Sequence, residues 1–180
     1  MEIKQPGSHL DHLVRQTRVH HTQLSSMADM KANILLTMAS VVVTLSVRYI
    51  SEPHLKWAAT VLIVFCLITI GLATYVVMPK ISFSLKPVSD ASIDSHRFNL
   101  LFFGDFIRLP YQQFEAAMAE VMNDPSRTYQ VQLQELYTLG EFLAKKKYRF
   151  LRLAYLTFIT GVFASALVGF LSGVLGRLLS

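Results

Sequence analysis

WAATVLIVFCLITIGLATYVVM, residues 57–78, runs for 22 residues without a formal charge, and LAYLTFITGVFASALVGFLSGVLG, residues 153–176, for 24. A helix rises 1.5 Å per residue, so either run covers the roughly 30 Å hydrocarbon core of a bilayer. A third run, ANILLTMASVVVTLSV at residues 32–47, has 16 residues between Lys31 and Arg48. Alone it reaches only about 24 Å, but both flanking cations can extend toward water and complete the crossing. The composition agrees: the 180 residues are 52% apolar and 16% charged, where a soluble domain carries about a quarter charged. The sequence predicts three membrane-spanning helices and excludes a soluble enzyme domain as the main body.

The net charge of +5 and a pI near 9.4 raise the question of nucleic acid. The positions of the cations answer it. Four Lys or Arg precede the first run, two lie between the first and second, ten between the second and third, and one, Arg177, follows. A cytoplasmic N-terminus therefore puts 14 cations inside and three outside, and a periplasmic C-terminus follows. Orientation accounts for the basic surplus, and no nucleic-acid partner is expected. About 30 polar residues precede the first run, which does not read as a signal peptide. The single cysteine, Cys66, excludes a disulfide framework.

Residues 8–50 contain neither Pro nor Gly, so one helix is expected to start near Ser8 and run into the first span. Pro53 sits in a short outer turn, and Pro79 closes the second span. Lys80–Ser95 reads as linker, Pro110 as the start of a helix ending near Asn123, and Asp124-Pro125-Ser126 as a turn. From Ser126 one long helix is expected to reach the third span, weakened slightly at Gly140. The predicted organisation is all-α: a cytoplasmic N-terminal helix at 1–31, spans at 32–50, 56–78 and 152–176, and a cytoplasmic helical region at 79–151. The first and last helices extend into this small cytoplasmic layer.

Two stripes follow from helical periodicity. On the first helix Arg18, Thr22, Ser26, Asp29, Asn33, Thr37, Ser40, Thr44 and Arg48 share one face. That face is either a packing surface whose hydroxyls bond their own i−4 carbonyls, or a water-accessible face with Thr37, Ser40 and Thr44 as candidate pore-lining residues. On the last helix Thr157, Gly161, Ser165, Gly169 and Gly173 recur every four residues. Such spacing lets helices approach closely, within or between chains, with a slight preference for self-association. Asp29 and Lys31 are two residues apart and cannot pair on one helix, so Asp29 needs a cation from the second cytoplasmic segment. Lys145, Lys146, Lys147, Arg149 and Arg152 supply five there. They fit an anionic lipid surface or, with Tyr148, a bound phosphate and base. The histidines lack a metal-ligand pattern, no catalytic signature is present, and neither a metal nor a resident cofactor is expected.

HHTQLSSMADMKANILL at residues 20–36, FNLLFFGDF at 98–106 and ELYTLGEFLAKKKYRFLRLAY at 135–155, in this order and spacing, resemble the transmembrane effectors of Pycsar anti-phage defence. The first is similar to that family's AD-x-KAN-x-LL pattern, the second to its NLLFFG segment, and the third to its Y-x-LG and KYR-x-LR-x-AY patterns. Glu135 departs from it, standing where the family shows Asp. The resemblance implies a bacterial inner-membrane protein activated by a cyclic pyrimidine nucleotide, cCMP or cUMP, to impair the membrane in an abortive infection. It implies His21, Asp29, Lys31, Asn33, Asn99, Gly104, Glu135, Tyr137, Lys147, Tyr148 and Arg149 as candidate ligand or functional residues, with the site expected between helices and shared by the subunits of a homo-oligomer. The alternative is a constitutive membrane scaffold that recruits a partner through its cytoplasmic helices.

Overall fold

A computed structural model describes residues 3–79 and 98–178, with side chains through residue 174. The expected linker over Lys80–Ser95 lies outside the described residues. Within them every regular element is helical: α1 (Ser8–Ser46), a 3₁₀ turn (Val47–Ser51), α2 (Lys56–Val77), α3 (Phe103–Phe106), α4 (Tyr111–Asn123), α5 (Pro125–Phe142), a π-helical stretch (Leu143–Tyr148) and α6 (Arg149–Leu178). Three helical runs are long and apolar enough to cross a membrane, so this is an all-α membrane protein. The chain divides into two compact units. One takes residues up to Leu24 and Pro79–Leu143; the other takes Ser25–Met78 and the chain from Ala144 onward.

In the first unit the caps follow the sequence. Pro110 precedes α4, where its missing N–H is not needed. The Asp124 carboxylate accepts from the Ser126 N–H at 2.8 Å and caps α5, whose first residue is Pro125. Phe98, Leu100, Leu109, Val121 and Val131 form a small buried core, with Phe114 and Met118 against it.

In the second unit α2 packs along α6. Gly161 is buried against Phe65, and a Cβ at that position would collide with the Phe65 Cβ and ring. The Ser165 hydroxyl donates to the Ala58 carbonyl at 2.9 Å, and a Cβ on Gly169 would sit 3.5 Å from Ala58 Cβ. Gly173 has nothing within 4 Å of its Cβ position. Over Gly161, Ser165 and Gly169 the small-residue stripe is thus used for packing inside one chain.

The packing face of α1 also differs from the polar stripe. Ala28, Ala32, Leu35, Ala39 and Ser46 are its buried residues, about 130° round the helix from the hydroxyl stripe at 100° per residue. Thr37 and Thr44 are exposed and Ser40 is half-buried. Their hydroxyls donate to the carbonyls of Asn33, Ser40 and Leu36 at 3.0, 3.0 and 2.8 Å, so the stripe needs no neighbour to satisfy them. Alanine wins the packing face because a methyl group permits closer backbone approach than a threonine side chain.

A second difference concerns the last helical run. The sequence suggests an unbroken α-helix from Ser126 into the third span, with Gly140 as its weak point. Instead, i→i+5 hydrogen bonding takes over across Leu143–Tyr148, inside the basic run.

Candidate functional site

In the first unit α1 and α5 run parallel. The Tyr129 hydroxyl donates to Asp11 Oδ1 at 2.6 Å, and the Arg18 guanidinium donates to Glu135 Oε1 at 2.6 Å, across sequence separations of 118 and 117. Sharing its proton with the Asp11 carboxylate pushes the Tyr129 hydroxyl above its ordinary range, and burial and the Asp11 charge add to the shift. Burial raises Glu135 above the usual carboxylate range, and Arg18 only partly reverses this. His21 lies beside Gly140, with Cε1 3.5 Å from where a Cβ would stand, and its Nδ1 is buried without a hydrogen-bond partner.

Asn99 is buried and organises the turn before α3. Its Nδ2 donates to Thr138 Oγ1 at 3.1 Å, its Oδ1 accepts the Leu101 N–H at 3.0 Å, and its own N–H donates to Asp105 Oδ2 at 3.0 Å. Thr138 Oγ1 in turn donates to the Glu135 carbonyl at 3.0 Å. Gly104 is buried because the Phe102 ring covers it: a Cβ there would lie 2.5 Å from Phe102 Cε1. Of the candidate residues in this unit, Asn99 and Glu135 are thus linked through Thr138. Tyr137 points to solvent.

The second unit holds the strongest polar feature. Lys147 Nζ donates to Asp29 Oδ2 at 2.6 Å, to Ser25 Oγ at 2.7 Å and to the Ser25 carbonyl at 3.3 Å. The Lys147 side chain is only 9% exposed, whereas that of Asp29 is 38% exposed. Asp29 Oδ1 is buried without a hydrogen-bond partner. Lys147 is therefore the partner that Asp29 requires. Its neighbours Lys146, Arg149 and Arg152 are exposed. The same unit holds an apolar cluster of Ala28, Ala32, Val76 and Leu151, with Tyr148 and Tyr155 partly buried on it. The Tyr155 hydroxyl reaches the Lys31 carbonyl at 3.4 Å, while the side chains of Lys31 and Asn33 are exposed.

Ser25 and Thr138 have no place among the sequence candidates. Ser25 was accessible in principle, since it stands four residues before Asp29 and shares its face. Thr138 carried no local signal; only the tertiary contact with Asn99 exposes it. Among the described residues no three His, Cys, Asp or Glu side chains gather as metal ligands would.

Three helices apolar and long enough to cross a membrane, with one buried, anion-paired lysine beside exposed cations, define a multi-span membrane protein. The sequence pattern of PycTM, the Pycsar effector protein domain, matches residues 12–174, and this chain belongs to that family. No curated protein and no solved structure matches it.

Proposed function

We propose that this chain is the membrane-acting effector of a Pycsar anti-phage system. A cyclic pyrimidine mononucleotide, cCMP or cUMP, binds it during infection, and it then impairs the bacterial inner membrane so that the cell stops growing before phage are released. The family match over residues 12–174 carries this reading. The basic layer supports it, because a cyclic mononucleotide carries one negative charge and cations near Tyr148 suit a phosphate and a base. The protein acts as a ligand-responsive effector without catalysis or a resident cofactor. The N-terminus lies in the cytoplasm and the C-terminus in the periplasm, a reading that the distribution of Lys and Arg supports.

Ligand changes the membrane only by binding one conformation more tightly than another. The 39-residue α1 carries such a change into the first span without a break. Assembly of several copies would turn the exposed Asn33, Thr37 and Thr44 toward one another, with Ser40 at their margin, and line a polar path. The direct test is a thermal-shift titration of detergent-purified protein with cCMP, cUMP, cAMP and cGMP side by side. Selective stabilisation by one pyrimidine nucleotide is expected; no shift in folded protein refutes the reading. A second reading, a scaffold that recruits a protein partner, is favoured by the exposed Phe102, Phe103, Ile107, Tyr111 and Met122 of the α3–α4 segment. Toxicity without nucleotide, together with a stably copurifying partner, supports that alternative.

A further inference from the structure

Among the described residues Lys147 is the one charged side chain that is buried. An ammonium out of water must keep an anion beside it, because losing its hydration without a counter-charge is strongly unfavourable. Its present anion is poorly matched. Asp29 spends one oxygen on Lys147, while the other is buried and bonded to nothing. Asp29 is also the wetter partner, at 38% side-chain exposure against 9%. When the pair opens, the carboxylate regains water easily and the ammonium does not.

From this asymmetry we infer that Lys147 is a phosphodiester-binding group held in reserve, with Asp29 as an internal stand-in that the ligand displaces. A phosphodiester monoanion offers two non-bridging oxygens. One takes the Lys147 Nζ donor, and the other accepts from the Ser25 hydroxyl, which now lies 2.7 Å from that Nζ. Exposed Lys146, Arg149 and Arg152 raise the local potential for an incoming anion. The π-helical stretch containing Lys147 is a conformation that recurs at functional sites. The inference rests on the effector reading for the identity of its ligand, since a cyclic mononucleotide and the headgroup of phosphatidylglycerol share this phosphodiester.

The test compares affinities of the full-length protein in detergent for cCMP, cUMP and phosphatidylglycerol, with phosphatidylcholine as control. Asp29→Asn removes the competing charge and is expected to bind at least about tenfold tighter than wild type, because an internal competitor that occupies Lys147 nine-tenths of the time weakens apparent affinity by that fraction. Lys147→Met abolishes binding, and Lys147→Arg retains it. Should Asp29→Asn fail to accumulate, Ser25→Ala provides a separate check: it removes a phosphate donor while sparing the ion pair, and weakens binding several-fold. Tighter binding of a nucleotide by Asp29→Asn supports both the inference and the effector reading. The same order with phosphatidylglycerol alone supports the site but overturns the nucleotide as its ligand. Unchanged or weaker binding by Asp29→Asn, unchanged binding by Ser25→Ala, or retained binding by Lys147→Met overturns the inference, whatever wild type binds.

Discussion

Each of the two units holds an ion pair between α1 and the later helical run, and these two pairs are inverted. In the first unit the acid is the sheltered member: Glu135 is 14% exposed and Arg18 53%. In the second the base is sheltered, with Lys147 at 9% and Asp29 at 38%. Both contacts measure 2.6 Å, so length does not distinguish them. Burial does, because the buried member determines which loss is expensive. A sheltered carboxyl can take up a proton and become neutral at modest pH, as the raised Glu135 shows. A sheltered ammonium has lost its hydration and keeps its need for an anion.

The largest effect should come from removing each acid in turn. Asp29→Ala strands a buried ammonium and should lower unfolding free energy by about 3 kcal/mol. Glu135→Ala leaves an exposed guanidinium that water can solvate, and should cost under about 1 kcal/mol. Thermal unfolding of both variants without ligand checks this, and equal losses would break the comparison. A smaller effect tests whether the small-residue stripe is spent inside the chain. Gly161→Ala places a methyl group against the Phe65 Cβ, which cannot swing away, and should cost about 2 kcal/mol. Gly173→Ala meets nothing within 4 Å and should stay within about 0.5 kcal/mol. If Gly173→Ala is the more damaging of the two, the stripe serves contacts between copies.

The smallest effect is a pH dependence. With its folded pKa raised, Glu135 keeps a proton that the unfolded chain has already released. Its contribution to stability is complete below the ordinary carboxyl pKa and is lost as pH rises through the raised folded value. Glu135→Gln should flatten that part of the stability curve. Arg18→Gln should move it to higher pH, since Arg18 is the group that opposes the rise. Denaturation midpoints across the acidic range read both variants.

Much of this architecture was legible before any coordinates. The uncharged runs pointed to three spans, Pro110 marked a helix start, and the isolation of Asp29 called for a cation from the far segment, whereas Asp124-Pro125-Ser126 read as a turn and is instead the capped start of α5. Periodicity resolves faces but not their partners. The alanine and hydroxyl stripes of α1 are both regular, and only packing selects Ala28, Ala32 and Ala39. Three consecutive lysines look equivalent in sequence, and LAKKKY carries no breaker residue to mark a π-helical stretch. Lys147, not Lys145 or Lys146, turns inward there. For the same reason the spacing on α6 revealed a close-approach surface without identifying α2 as the helix approached.

The sequence separation of 118 between Asp29 and Lys147 also sets a schedule. Ribosomes add about 5–20 residues per second, so Asp29 is made roughly 6–24 s before Lys147 exists. During that interval the α1–α2 hairpin, joined by the short turn around Pro53, can already be in the bilayer with the Asp29 carboxylate unpaired at its margin. The ion pair can close only once the π-helical stretch that carries Lys147 is synthesised. A chain truncated before residue 147 therefore leaves the ribosome with its first two spans complete and the counter-charge of Asp29 missing, a species that quality-control proteases at the membrane would meet before any signal does.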